Sequence, residues 1–189
     1  MRMMMICVLA LAASPTPQQP GCEPPVWGET VTVFDSGVKA YLALRDKLQA
    51  SLPRPIAQGT LADVSAARRT LAAHLRAARE RAKQGDLFTP AIATEIRKSL
   101  RPAIDAHTWK VIMDDNPGEV PSQVNDEYRE GSPLATMPPN VLAALPRLPE
   151  GMEYRFVERH LILLDTRALL VVDRIPYAIG DPAREGSCR

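Results

Sequence analysis

Apolar residues recur at three- and four-residue steps through the first two-thirds of the chain, then gather in short blocks and alternations over the last third. The first spacing marks one face of a helix and the second marks strands. A helix is expected over about 34–51, where Phe34, Val38, Tyr41, Leu42, Leu48 and Leu52 share a face that Arg45 interrupts. Asp35 or Ser36 would cap it, and Pro53 and Pro55 would end it, because the residue before a proline is pushed out of the helical region. A second helix is expected over about 61–84, with Leu61, Val64, Leu71, Leu75, Ala78 and Ala82 as its stripe. Thr60 and Asp63 make an approximate capping box, and Gly85 supplies a left-handed end. A third helix opens at Thr89-Pro90, with Thr89 as N-cap, carries Ile92, Ile96 and Leu100, and ends or kinks at Pro102. Proline at a first helical position has no N–H to waste. A fourth, short helix is expected over about 102–113, carrying Ile104, Trp109, Ile112 and Met113.

From Asn116 to Gly151 seven prolines break the pattern. A structureless loop of that length is unusual in a compact domain. Short extended pieces are therefore expected at about 120–125 and 133–137, with a one-to-two-turn helix after Pro138-Pro139 carrying Val141, Leu142 and Leu145. Beyond Gly151, Met152–Val157 alternates, and Leu161–Leu164 and Ala168–Ile175 are buried runs joined by turn-forming residues. Three such strands form an antiparallel meander whose apolar face needs a cover. The helices can supply it, which gives an α+β domain: an N-terminal half of three to four helices packed on a C-terminal meander of about three strands.

The amino end stands outside this scheme. Residues 1–13 place one cation, Arg2, before an unbroken apolar run that closes on small residues and gives way to Ser14-Pro15-Thr16-Pro17. That is the layout of a secretory signal peptide. A spanning helix needs about 20 apolar residues, and this run is roughly half as long. Cleavage is expected after Ala12 or Ala13. Residues 14–29, with five prolines and little to bury, read as a tether, residues 30–179 as one domain and residues 180–189 as a disordered tail. The expected location is the periplasm or the medium. Lipid attachment at Cys22 is disfavoured, because Gln19-Pro20 precedes Gly21 where small residues are needed.

The chain carries 23 basic and 22 acidic side chains, so removal of Arg2 brings them into balance. A neutral chain has no global attraction for nucleic acid or acidic membranes. Export makes an oxidising compartment in which Cys22 and Cys188 can pair, and no Cys-x-x-Cys points to zinc or thioredoxin-type chemistry.

The stretch from Leu148 to Ile175, with Gly85-Asp-Leu-Phe-Thr-Pro90 and Asp115-Asn-Pro117 before it, resembles the C-terminal end of a family of exported bacterial proteins of unknown function. The strand pattern around Tyr154-x-Phe156-Val157, Leu163-Leu164-Asp165 and Val171-Val172-Asp173-x-Ile175 is also similar to small periplasmic hairpin modules, one of them linked to nickel and cobalt homeostasis. Both likenesses are carried by structural residues, so they imply a fold and a compartment and no active-site residue. The His-rich texture of metal handling is missing.

Three constellations remain as candidates for chemistry. His160, Asp165 and Asp173 would meet if the meander brought them to one end, and histidine beside carboxylates serves as base or metal ligand. The plainer reading makes His160 and Asp165 turn residues, Asp165 bonding its own backbone. Asp114 and Asp115, with Asp126 and Glu127, offer hard oxygens for calcium but lack the spacing of an EF-hand. Arg68, Arg69, Arg76 and Arg79 put a basic face on the second helix, suited to an anion, an acidic partner or weak envelope association, or simply to solvent. No nucleophile elbow, phosphate-binding loop, dinucleotide fingerprint or zincin motif occurs. The chain is therefore expected to be an exported module without catalytic machinery or cofactor, recognising a protein or small-molecule ligand. A hydrolase or metal-dependent enzyme built on His160, Asp165 and Asp173, or on the acidic segment 114–127, is the alternative.

Overall fold

The computed structural model describes residues 27–52, 60–128, 131 and 137–181. The expected leader, the expected tether as far as residue 26, Cys22, Cys188 and residues 133–136 of the expected extended piece lie outside the described residues. Five helices precede three strands: α1 (Glu29–Ala50), α2 (Leu61–Ala78), α3 (Pro90–Ala103), α4 (Ala106–Asp114), α5 (Pro139–Ala143), β1 (Met152–Val157), β2 (His160–Asp165) and β3 (Leu170–Ile175). The strands form an antiparallel sheet in the order β1-β2-β3. The molecule is thus of the α+β class, with its helices N-terminal to a three-stranded meander.

Several boundaries differ from the sequence expectation. α1 starts at Glu29, behind Gly28, and Asp35 and Ser36 lie inside it. Trp27 and Val31 pack on the core, which extends the helix forward into the expected tether. Glu29 in the first turn suits the positive helix end. The face that Arg45 was expected to interrupt is in fact continuous: Phe34, Val38, Tyr41 and Arg45 are the buried set. α2 begins in a true capping box, Thr60 and Asp63 bonding each other's backbone N–H. Its first turns project past the core, so Leu61 is 88% exposed and only Leu71, Ala72 and Leu75 are buried. It stops at Ala78, short of Gly85, because the Arg79 side chain turns in to bond Asn125 and the Val172 carbonyl. α3 runs through Pro102 to Ala103, and Thr89 at its start makes no side-chain cap bond. α4 is capped instead by Asp105, whose carboxylate accepts the Thr108 N–H at 2.8 Å.

The inner sheet face and the helices share one core, built on Phe34, Leu75, Ile92, Ile96, Leu100, Phe156, Leu161 and Leu163. Burying each such side chain contributes about 1.5–3 kcal/mol. Phe88 stacks on Phe34 at 5.4 Å and lies 6.3 Å from Tyr154. The outer face holds a second, smaller cluster of Tyr128, Val157, Ile162, Leu164 and Val171.

The segment 116–128 covers that outer face as a strap. Asn116 clasps the backbone of Glu158 at the β1–β2 turn, donating to its carbonyl at 2.9 Å and accepting its N–H at 2.8 Å. At the other end Asn125 and Tyr128 donate to the carbonyls of Val171 and Leu169, and Val171 donates back to Asp126. The piece expected at 120–125 is therefore irregular, and strand-like pairing falls a few residues later, at Glu127 opposite Leu170. No described helix is long and apolar enough to cross a membrane.

Candidate functional site

Asp165 and Asp173 are both fully buried on the inner face of the sheet, and each is held by a different element. Asp165 closes β2. Its Oδ1 accepts the N–H groups of Arg167 at 2.8 Å and Ala168 at 3.1 Å, the self-bonding expected of a turn residue. Its Oδ2 accepts the Tyr41 hydroxyl at 2.7 Å, and Arg45 Nη1 lies 3.6 Å from Oδ1. Burial, reinforced by the neighbouring Asp165 charge, pushes the Tyr41 hydroxyl far above its ordinary value, so it stays protonated and donates.

Asp173 anchors the loop that follows α2. Its Oδ1 accepts from Gly85 N–H at 2.9 Å and Arg174 N–H at 2.7 Å, and its Oδ2 accepts from Leu87 and Phe88 N–H at 2.8 and 2.7 Å. Gly85 makes the tight approach with φ +91°, a conformation that side chains rarely adopt. The Gly-Asp-Leu-Phe stretch is thus a clamp around a strand carboxylate.

His160 lies apart from both. It opens β2 while Asp165 ends it, roughly 16 Å along the strand, and its ring sits on the other side of the sheet, beside Arg174 and Tyr177. Its Nδ1 accepts the Tyr177 N–H at 3.0 Å, and its ring meets the Tyr177 ring edge-on at 4.9 Å. Burial, with help from the Arg174 charge, draws its pKa below the usual histidine value. The three side chains do not converge on one pocket.

The acidic candidates are likewise dispersed. Asp114 pairs with Lys110 one turn back along α4. Asp115 is the C-cap residue of that helix. Asp126 accepts the Gln123 N–H at 2.7 Å, and Glu127 pairs with Arg76 at 2.9 Å. Among the described residues no group of three or more His, Cys, Asp or Glu is placed to hold a metal ion.

The arginines of α2 divide by role. Arg69 is exposed and Arg68 half-buried. Arg76 fastens the helix to the strap through Glu127, and Arg79 goes deepest. Its Nη1 donates to Asn125 Oδ1 at 3.0 Å, its Nη2 donates to the Val172 carbonyl at 2.9 Å, and its guanidinium lies 5.0 Å from the centre of the Tyr41 ring. Burial lowers its pKa from the ordinary arginine value, while Tyr41, Asp173 and Asp86 act in the other direction. Among the described residues it pairs with no carboxylate within 4.0 Å.

Arg79 and Tyr41 line a groove of about 520 Å³ between α1 and the end of α2. Its lining is short and mixed: Gly37, Ala40 and Leu44 from α1, Ala77 and Ala78 from α2, and Ala82 and Leu87 from the loop beyond, with the charged Glu80, Arg81 and Asp86 beside Arg79. The groove is what the sequence reading missed. Its signal was present in part: Ala78 and Ala82 stand in the apolar stripe expected of the second helix, but a stripe of small residues reads as packed core and does not show that a groove is left beside it.

No family model, curated protein or solved structure matches the chain.

Proposed function

We propose that this is an exported, non-catalytic binding module whose ligand occupies the α1–α2 groove. The ligand that fits is a small amphipathic carboxylate. Its apolar body would lie along Gly37, Ala40, Leu44 and Ala77, and its carboxylate would meet Arg79. The observation that carries this reading is the state of Arg79: a half-buried guanidinium lining an open groove, its hydrogen bonds made only to neutral acceptors. A partly desolvated cation of this kind rewards an anionic ligand more than an exposed one would. The opposite assignment holds for Asp165 and Asp173, whose oxygens are taken up by Tyr41 and by backbone N–H groups. A general base needs a free lone pair within reach of substrate; Asp173 accepts four hydrogen bonds and Asp165 three, and both are fully buried. Export is supported by the leader-like residues 1–13.

The test is calorimetric titration of the mature protein with medium-chain fatty acids and N-acyl amino acids, set against their neutral amides. Saturable binding of the acids, absent for the amides, is the expected result. Ala77→Trp, placed at an exposed position on the groove wall, should abolish binding with a stability change within about 0.5 kcal/mol. Equal affinity for acids and amides, or undiminished binding by Ala77→Trp, would refute the assignment.

A further inference from the structure

Arg174 is a cation where an apolar residue would be expected. It faces outward from β3 beneath the 116–128 strap and is only 8% exposed. Its Nη1 lies 3.5 Å from Ser122 Oγ, the outer limit of a hydrogen bond. Its Nε is enclosed and has no acceptor. No carboxylate pairs with it within 4.0 Å among the described residues. A buried charge without a partner costs several kcal/mol unless something compensates it.

Arg174 is also not alone. The sheet register sets it opposite Ile162, and Ile162 opposite Arg155 on the far strand. With strands about 4.8 Å apart, the two arginine backbones stand about 10 Å from one another on the same face. That is close enough for both side chains to lean over Ile162 toward one small ion. The Arg155 Nη atoms reach Glu153 and the Tyr154 carbonyl, but its Nε is enclosed and unpartnered too. Glu153 offsets one of the two charges, which leaves the row with one positive charge in excess. Ser122, itself buried, sits above it. The strap that carries Ser122 is fastened at both ends, to Glu158 and to β3.

We propose that this row is a binding site for a small tetrahedral oxyanion, inorganic phosphate or sulfate, held by the Nε–H groups of Arg174 and Arg155 and by the Ser122 hydroxyl under the strap. Planar guanidinium donors match the oxygens of such an ion and form charge-assisted hydrogen bonds with it. Enclosure favours a free anion over a lipid headgroup, whose acyl chains would have to pass the strap. The site lies across the sheet from the α1–α2 groove, so the two assignments stand or fall separately.

The experiment is calorimetric titration of the mature protein with inorganic phosphate and with sulfate, at ionic strength held constant with chloride. One saturable site is expected, with a rise in melting temperature that chloride alone does not give. Arg174→Met keeps the apolar bulk of the side chain and should lower the affinity by about tenfold or more, the equivalent of one charge-assisted hydrogen bond. Ser122→Ala should weaken binding by a smaller factor. It supplies the reading if Arg174→Met does not fold, as does Arg155→Met. Absence of a saturable response in the parent protein would overturn the site. So would parent-like affinity in the folded arginine variants, or capture by phosphatidate vesicles with no binding of free phosphate.

Discussion

Four backbone N–H groups converge on Asp173, three of them from one loop, and the carboxylate is what lets that loop pack against a strand. Asp173→Asn retains one acceptor oxygen and turns an N–H₂ group toward donors. It should lower the free energy of unfolding by about 2–4 kcal/mol, read from the urea midpoint at unchanged slope. Gly151 is similarly constrained: its φ is +82°, and an added Cβ would lie 2.9 Å from Arg45 Nη1. Gly151→Ala should cost about 1–3 kcal/mol. His160 sets a pH dependence. Its folded pKa is depressed, so unfolding takes up a proton as pH falls below the ordinary histidine value. Its contribution is complete above about pH 6.5 and declines as pH drops through the lowered native pKa. Protonation also removes the lone pair that accepts the Tyr177 N–H. Denaturation curves between pH 4.5 and 8, an interval about histidine's ordinary value, should show this slope in the parent and lose it in His160→Gln.

At the scale of elements, the strands were legible because β-branched and leucine runs bounded by Glu158-Arg159 and Thr166-Arg167 have few other uses. Helix ends were less so. α1 extends forward because Trp27 and Val31 find the core, and α2 ends early because Arg79 finds a carbonyl on β3. Both are tertiary contacts with no local signature. Arg45 reads as a break in an apolar face, yet it is buried against Asp165, and only knowledge of that partner makes its position sensible. The strap was visible as a proline-rich stretch, but not its place on the outer face. Asn125 joins it to the end of α2 alongside the Glu127–Arg76 pair, donating to the Arg79 carbonyl at 2.8 Å and accepting from the Arg79 side chain, with a left-handed φ of 68°. Asn125→Ala should cost about 2 kcal/mol through lost bonds and an unfavourable backbone region. Amide exchange should quicken at residues 125–128 more than in α3.

For the whole molecule, the sheet is apolar on both faces and depends on a helical layer on one side and the strap on the other. A three-stranded meander with neither cover has too little to bury. A fragment spanning 148–181 should therefore show no cooperative melting, whereas residues 27–181 should melt in one transition. The proposed recognition site is the groove beside α1 and the end of α2, where the lining side chains are mostly small.

Mapping of amide chemical shifts during titration with an N-acyl amino acid tests that claim most directly. Saturable shifts concentrated in residues 37–44 and 77–87, the groove-lining stretches, are expected. Shifts centred instead on the turn around Asp165, or on His160 and Tyr177, would contradict it, as would conversion of the added compound during the titration.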